Sequence, residues 1–144
     1  MSNGHLLDTN VLSELMREHP APEVMAWFAG QTESGMHTNA ITQAEILAGI
    51  AVLPTGKRRD ALAQAAEQLF AQEFVGRCLP FGSAAAAHYA LVRAQRQLAG
   101  RPISTEDAQI AAIALAAQLP LVTRNTKDFE AISDLQIVNP WQPQ

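Results

Sequence analysis

Short apolar runs alternate along the chain with stretches in which apolar residues recur every three or four positions. That alternation predicts strands interleaved with helices. The run His5-Leu6-Leu7 stops abruptly at Asp8, and Val11, Leu12, Leu15 and Met16 follow at helical spacing, so a strand leads directly into a helix. A second helix is expected after Pro22, carrying Val24, Met25, Trp27 and Phe28, and a second short strand at residues 36–39. Ile41 and Thr42 lead into a third helix with Ile46, Leu47 and Ile50 on one face. Pro54-Thr55-Gly56 breaks it, and Lys57-Arg58-Arg59 opens a helix expected to run to about residue 74. Residues 77–80 read as a strand or extended link, and Ser83 as the cap of a helix running to residue 98, which Gly100 and Pro102 stop. Ser104 starts the next helix, to about residue 118. A β-rich run at 119–123, a short helix at 128–132 and a strand at 135–138 complete the pattern, without internal repeat or low-complexity tail.

Short apolar strands separated by helices imply an α/β fold with a parallel sheet covered on both faces. In such a sheet, side chains just past the carboxyl ends of the strands converge where the strand order reverses. Asp8 and the 124–128 turn are both predicted to lie there. With 144 residues, 48% apolar and 17% charged, the chain suits one domain with a core and excludes wholesale disorder. Its 26 alanines favour closely packed helices.

The lone Cys78 excludes an internal disulfide or a Cys-rich metal site, and the histidines at 5, 19, 37 and 88 show no paired-ligand spacing. Nothing after Met1 resembles a signal peptide, and the longest uncharged stretch, 108–123, contains Pro120 and falls short of the ~20 residues of a membrane span. A soluble, cytoplasmic protein is expected. Ten Lys and Arg against fourteen Asp and Glu give a net charge of −4, which argues against gripping nucleic acid by bulk positive charge. Contact with phosphates would rest on local basic residues or bound metal ions.

Four acids stand at helix starts or strand ends: Asp8, Glu45, Asp107 and Asp128. Each fits a plain structural role. Asp8 can cap the first helix, Thr42 to Glu45 and Ser104 to Asp107 fit capping boxes, and Asp128 can cap the short helix containing Phe129. Gathered in one crevice, the same acids would repel one another unless a cation were bound. Oxygen-only ligands select a hard ion such as Mg²⁺ or Mn²⁺, and such ions can activate water against a phosphodiester. Thr9 and Asn10 can orient a carboxylate or serve ordinary helix-start hydrogen bonding. Arg124 can reach a phosphate as a bidentate donor or remain a solvated surface residue.

Other features read as structural. Lys57-Arg58-Arg59 fits a solvated helix start, although it could steer RNA, and Arg93, Arg96 and Arg101 could line an RNA path near Asp107. Trp27, Phe28, Phe70 and Phe74 fall at core spacing.

Leu7-Asp8-Thr9-Asn10-Val11 resembles the opening motif of PIN-domain nucleases. Thr42-x-x-Glu45, Asp107 at the head of an Ile-Ala-Ala helix, Val122-Thr123-Arg124-Asn125-x-x-Asp128-Phe129 and the terminal Asn139-Pro140-Trp141 follow in the family's order. The likeness spans essentially the whole chain and is marked toward the VapC and FitB-like toxins of bacterial toxin–antitoxin pairs. It implies a single PIN domain over residues 1–144, a three-layer α/β/α sandwich with a central parallel sheet of about four or five strands. It also implies a Mg²⁺- or Mn²⁺-dependent endoribonuclease leaving a 5′ phosphate and a 3′ hydroxyl. Asp8 and Asp107 match the principal metal-binding acids and Glu45 a third; Asp128 completes the catalytic set, with Thr9, Asn10, Arg124 and Asn125 as supporting or substrate-contacting residues. The chain departs from the pattern at Asn125, where many relatives place Asp, leaving open whether Asn125 or Asp128 replaces the fourth acid. The resemblance further implies RNA as substrate, a small VapB-like or FitA-like antitoxin inserting a segment into the acidic groove, and a homodimer or higher assembly with that antitoxin. The apolar faces of the helices between residues 24 and 53 are candidate interfaces. Operator DNA would be bound only through the antitoxin. The alternative is a non-catalytic acidic pocket that regulates DNA together with such a partner.

Overall fold

The computed structural model describes residues 4–143. Five strands form one sheet: β1 (His5–Leu7), β2 (Met36–Asn39), β3 (Cys78–Leu79), β4 (Leu121–Val122) and β5 (Ile137–Val138). Their order is β3-β2-β1-β4-β5, and every neighbouring pair is parallel. The chain steps outward from β1 to β3, then returns to the other side of β1 for β4 and β5. The order therefore reverses between β1 and β4, and a crevice opens beyond their carboxyl ends.

Six α-helices cover the sheet: α1 (Thr9–Leu15), α2 (Pro22–Ala29), α3 (Ala40–Ala51), α4 (Lys57–Glu67), α5 (Ser83–Leu98) and α6 (Thr105–Ala117). Successive strand residues point to opposite faces, so Leu6 and Leu7, both fully buried, belong to different cores. Leu6 and Leu121 pack with Val92 of α5, Ile110 and Ile113 of α6, and Phe129. Leu7 and Val122 pack with Val11, Leu12, Ile46 and Leu69. Truncating Leu6 or Leu7 to Ala would cost about 2–5 kcal/mol, because neither side of the sheet has space to collapse around the void. These two cores make the expected α/β/α sandwich.

The helix α6 is apolar nearly all round, and Ala108, Ile110, Ala111, Ala112, Ile113 and Ala114 are all buried. Its alanines let α5 approach closely, and the packing fixes its N-terminal turn beside the crevice. The link between α1 and α2 is closed by Glu14. Its buried carboxylate accepts from the Ala21 N–H at 2.7 Å and pairs with Arg17 at 3.2 Å. The Ala21 hydrogen bond, reinforced by Arg17, holds that carboxyl below the usual range.

Several boundaries depart from the sequence expectations. The helix expected over 57–74 leaves α-geometry at Glu67 and continues as a π-helical segment, Gln68–Glu73. Ser83 does not cap α5; Gly82 holds that position, and Ser83 is the first helical residue. The short helix is a 3₁₀ turn at Thr126–Phe129, two residues earlier than expected. Burial of Phe129 ends it, and Ala131 adopts a left-handed backbone at φ 62° that a helix cannot accommodate. The β-rich run loses Leu119 to the end of α6, where its N–H donates to the Ala114 carbonyl behind a left-handed Gln118. Among the described residues no helix is long and apolar enough to cross a membrane.

Candidate active site

Asp8 stands one residue beyond β1 and Thr123 one residue beyond β4, on the two sides of the crevice. The sheet ladder runs on to both: the Asp8 N–H donates to the Val122 carbonyl at 2.9 Å, and the Thr123 N–H to Val138 at 2.9 Å. Asp8 is only 4% exposed. Its Oδ1 accepts from the Thr9 N–H at 2.8 Å; its Oδ2 accepts from Thr123 Oγ1 at 2.7 Å and from Asn10 Nδ2 at 3.0 Å. The capping reading of Asp8 therefore holds, and the same carboxylate stands at the end of β1 beside the residue that follows β4. A carboxylate offers about four lone-pair positions, so three bonds leave one for a further ligand. The Asn10 Oδ1 in turn accepts the Arg124 N–H at 3.0 Å, tying the turn after β4 to the start of α1.

Glu45 arrives from α3 by a different route than a capping box. Asn39 caps that helix, its Oδ1 accepting the Thr42 N–H at 2.8 Å, and Thr42 lies buried in the first turn. The Thr9 hydroxyl donates to Glu45 Oε1 at 2.8 Å and sits 3.0 Å from Thr42 Oγ1. Thr9 has a single proton, so Thr42 must donate to Thr9, and Asn39 Nδ2 donates to Thr42 at 3.0 Å. The result is a one-directional chain from the buried amide of Asn39 to the Glu45 carboxylate, whose members polarise one another.

Asp107 is the third residue of α6, held by its N–H donating to the Ser104 hydroxyl at 3.1 Å. Half of the Ser104–Asp107 capping motif is thus present. Asp128 lies exposed within the 3₁₀ turn, and its N–H donates to the Asn125 carbonyl, so Asn125 and not Asp128 occupies the capping position. Asn125 is exposed and its N–H donates to Thr123 Oγ1 at 3.1 Å. Arg124 is exposed, with its guanidinium 5.0 Å from the centre of the Trp141 ring.

Asp8 feels the charge of Glu45, and Asp107 feels those of Asp8, Asp128 and Glu45. Burial pushes the Asp8 carboxyl up, against the hydrogen bonds from Thr123, Thr9 and Asn10, and the charge of Glu45 adds to the rise. Asp107 is pushed up to about 6, first by burial and then by the charges of Asp8, Asp128 and Glu45, with only Ser104 opposing. Mutual repulsion of this kind is what a cation would relieve. Among the described residues no group of three or more His, Cys, Asp or Glu side chains is placed to hold a metal ion. The acids near the crevice offer oxygen donors, with Asp8 buried and pre-oriented, and that donor chemistry suits a hard divalent ion and not a soft one.

Thr123 and Asn39 went unassigned in the sequence, although Thr123 follows a strand directly and Asn39 directly precedes a helix. Of the three arginines expected to line a path near Asp107, Arg96 is drawn inward and Arg101 is paired, while Arg93 remains exposed. Arg96 is 5% exposed and donates to the carbonyls of Arg101, at 2.7 Å, and Asp128; Arg101 pairs with Glu130 at 3.2 Å; Arg93 lies over Tyr89. Arg58, by contrast, lines a groove of about 370 Å³ that opens beside Thr9 and Glu45 and is walled by Met16 and Ile50.

The protein-family model described as PIN domain matches residues 5–135. The chain is 41% identical over 138 residues to the VapC ribonuclease Y4jK of Sinorhizobium fredii, covering 96% of this chain and 98% of the relative. It is 40% identical over 136 residues to the toxin FitB of Neisseria gonorrhoeae, covering 94% and 97%. The solved structure of FitAB bound to an IR36 DNA fragment superposes with a TM-score of 0.88 at 38% identity, covering 96% of each chain.

Proposed function

The chain belongs to the PIN-domain family, and from that premise we propose that it is a divalent-metal-dependent endoribonuclease, the toxin of a VapBC-like toxin–antitoxin pair, formed as a single PIN domain over residues 1–144. The observation that carries the reading is a buried Asp8 where strand order reverses, together with an Asp107 pushed up to about 6 by burial and by the charges of Asp8, Asp128 and Glu45. The names of relatives at about 40% identity over nearly the whole chain support it.

In this proposal Asp8, Asp107 and Glu45 hold Mg²⁺ or Mn²⁺. The ion, when bound, supplies Lewis-acid chemistry for acidifying water and stabilising charge on phosphate oxygens. The chain's own residues do the rest. Thr123, Asn10 and the Thr9 N–H fix the Asp8 carboxylate, so its free lone pair keeps one direction. The Asn39–Thr42–Thr9 chain presents Glu45. Asp107, ionised above a pKa of about 6, offers its carboxylate at neutral pH. Asp128 adds the negative charge that Asn125 lacks. Water attacks phosphorus in line with the departing 3′ oxygen, leaving a 5′ phosphate and a 3′ hydroxyl. Arg124 contacts the substrate.

The antitoxin is proposed to be a small VapB-like or FitA-like protein, with operator DNA bound only in that complex. A homodimer is proposed through the faces of α2 and α3, where Met25 and Leu47 are 45% and 46% exposed. A monomeric mass by light scattering across micromolar concentrations would remove that last element.

The decisive experiment incubates antitoxin-free protein with total RNA in Mg²⁺ or in chelator. Cleavage is expected in Mg²⁺ alone, and Asp8→Asn or Asp107→Asn should lower it by at least about a hundredfold while the circular dichroism stays native. A folded Asp8→Asn protein that cleaves like the parent would refute the assignment. A wild-type protein that folds but never cleaves would favour the non-catalytic pocket, which the uncharged Asn125 would then explain.

A further inference from the structure

An RNA strand entering this cup meets carboxylates on a chain of net charge −4, so a specific cation must hold it there. Most of the basic side chains nearby are already engaged. Arg17 pairs with Glu14 at 3.2 Å, Arg101 pairs with Glu130 at 3.2 Å, and Arg96 is buried against backbone carbonyls. Arg124 differs. It is exposed, it enters no ion pair among the described residues, and its N–H is fixed to Asn10, which itself donates to Asp8.

The Arg124 guanidinium lies over Trp141, whose ring centre is 5.0 Å away, and its charge is also felt by Glu14. That ring is anchored. It packs against the core cluster containing Leu7, Val11, Leu12 and Val122, and the Trp141 backbone N–H donates to Asn139 Oδ1 at 2.9 Å. The β4–β5 pairing, extended by the Thr123 N–H on Val138, sets the two segments side by side. An arginine lying on an indole face is held in place by the ring's negative face, while its in-plane N–H donors stay open to phosphate oxygens.

Resting on the nuclease reading above, we propose that Trp141 is a positioning residue for the substrate. Its ring holds the Arg124 guanidinium at the lip of the acidic cup, where that guanidinium grips a phosphate of the RNA strand beside the bond to be cut. Trp141 thus acts on RNA through Arg124 and touches neither the reacting atoms nor the acids.

The test measures binding of a fluorescein-labelled, unstructured single-stranded RNA by anisotropy, in Mg²⁺, on protein carrying Asp8→Asn so that the RNA stays intact. Adding Arg124→Gln should weaken binding about tenfold and make the slope of log K against log salt shallower by about 0.7, the value of one phosphate contact on a single strand. Adding Trp141→Leu should weaken binding about three- to tenfold when Arg124 is present and not at all when Arg124 is already Gln. A polyfluorinated tryptophan at position 141, which keeps the ring's shape and drains its negative face, should reproduce the loss and decides the matter if Trp141→Leu does not fold. In the cleaving protein the same substitutions should raise KM and leave kcat within about twofold. Equal losses from Trp141→Leu in both Arg124 backgrounds, or wild-type binding by the fluorinated protein, would overturn the role of Trp141. A wild-type protein that folds and never cleaves in Mg²⁺ would instead overturn the nuclease reading, and the Trp141–Arg124 coupling would still be read from binding.

Discussion

Asp107 links the chemistry of the cup to the stability of the ion-free chain. Its carboxyl is pushed from an ordinary 3.8 up to about 6, so the folded chain binds that proton more tightly than the unfolded chain does. Stability contributed by the protonated form is therefore present below pH 3.8 and is lost as the pH rises from there to about 6. An amide at this position has no proton to lose. Asp107→Asn should thus be more stable than the parent at pH 7 without divalent ions, by on the order of 1 kcal/mol, since solvent screens a half-buried group. The difference in Tm between the two proteins should grow from pH 4 to pH 6 and then level off; a difference independent of pH would contradict an origin in the Asp107 proton. At this scale the sequence was informative where a residue's role is set by its immediate neighbours. Asp8 after an apolar run and Asp107 three residues after Ser104 are visible in a linear reading. Thr123 was not, because its bond to Asp8 at 2.7 Å spans 115 positions and exists only once β1 and β4 pair. Asn39 was missed for a similar reason: its amide reports on Thr42 locally but also reaches the Leu7 carbonyl across the sheet.

Among the elements, α6 carries Asp107 and the 3₁₀ turn carries Asp128, and α5 ties the two together. Arg96, near the end of α5, donates to the carbonyls of Arg101, which precedes α6, and of Asp128, within the turn. Among the described residues it pairs with no carboxylate, so its burial is compensated by backbone acceptors alone. Removing the guanidinium leaves buried carbonyls without donors. Arg96→Met, which keeps much of the apolar stem, should cost about 2–4 kcal/mol in denaturant unfolding. It should also raise protease cutting within residues 99–104 or 124–130 before global unfolding. Unchanged unfolding, with no new cut sites, would show that the acid-bearing segments need no such tie. The existence and order of the elements were legible from apolar spacing, and the strand–helix alternation was enough for a parallel sheet. Where boundaries slipped, tertiary packing had overridden local propensity. Phe129 is drawn into the core and shortens the turn, and the segment after Glu67 opens into π geometry that no local periodicity encodes.

For the whole molecule, topology and charge work against each other until an ion binds. The reversal between β1 and β4 brings acids far apart in sequence to one end of the sheet, on a chain already four charges negative. Folding without a cation therefore gathers charges that the unfolded chain keeps apart, and this opposes the burial that holds β1 and β4 between two cores. A divalent ion that binds only the folded chain reverses the balance, adding RT ln(1 + [L]/Kd), or about 2.7 kcal/mol at a hundred times Kd. For a chain of this size that corresponds to roughly 5–10 °C in Tm. Mg²⁺ or Mn²⁺ at millimolar concentration should raise the Tm of the wild-type protein by an amount that saturates with concentration, and Ca²⁺ or high NaCl should not reproduce both the size and the saturation. In Asp8→Asn and Asp107→Asn the rise should shrink by more than half, because each removes a ligand as well as part of the repulsion. An unsaturating rise, equal in all three proteins, would mean that ions merely screen a negative surface, and the acids at the crevice would then be neighbours without a common ligand.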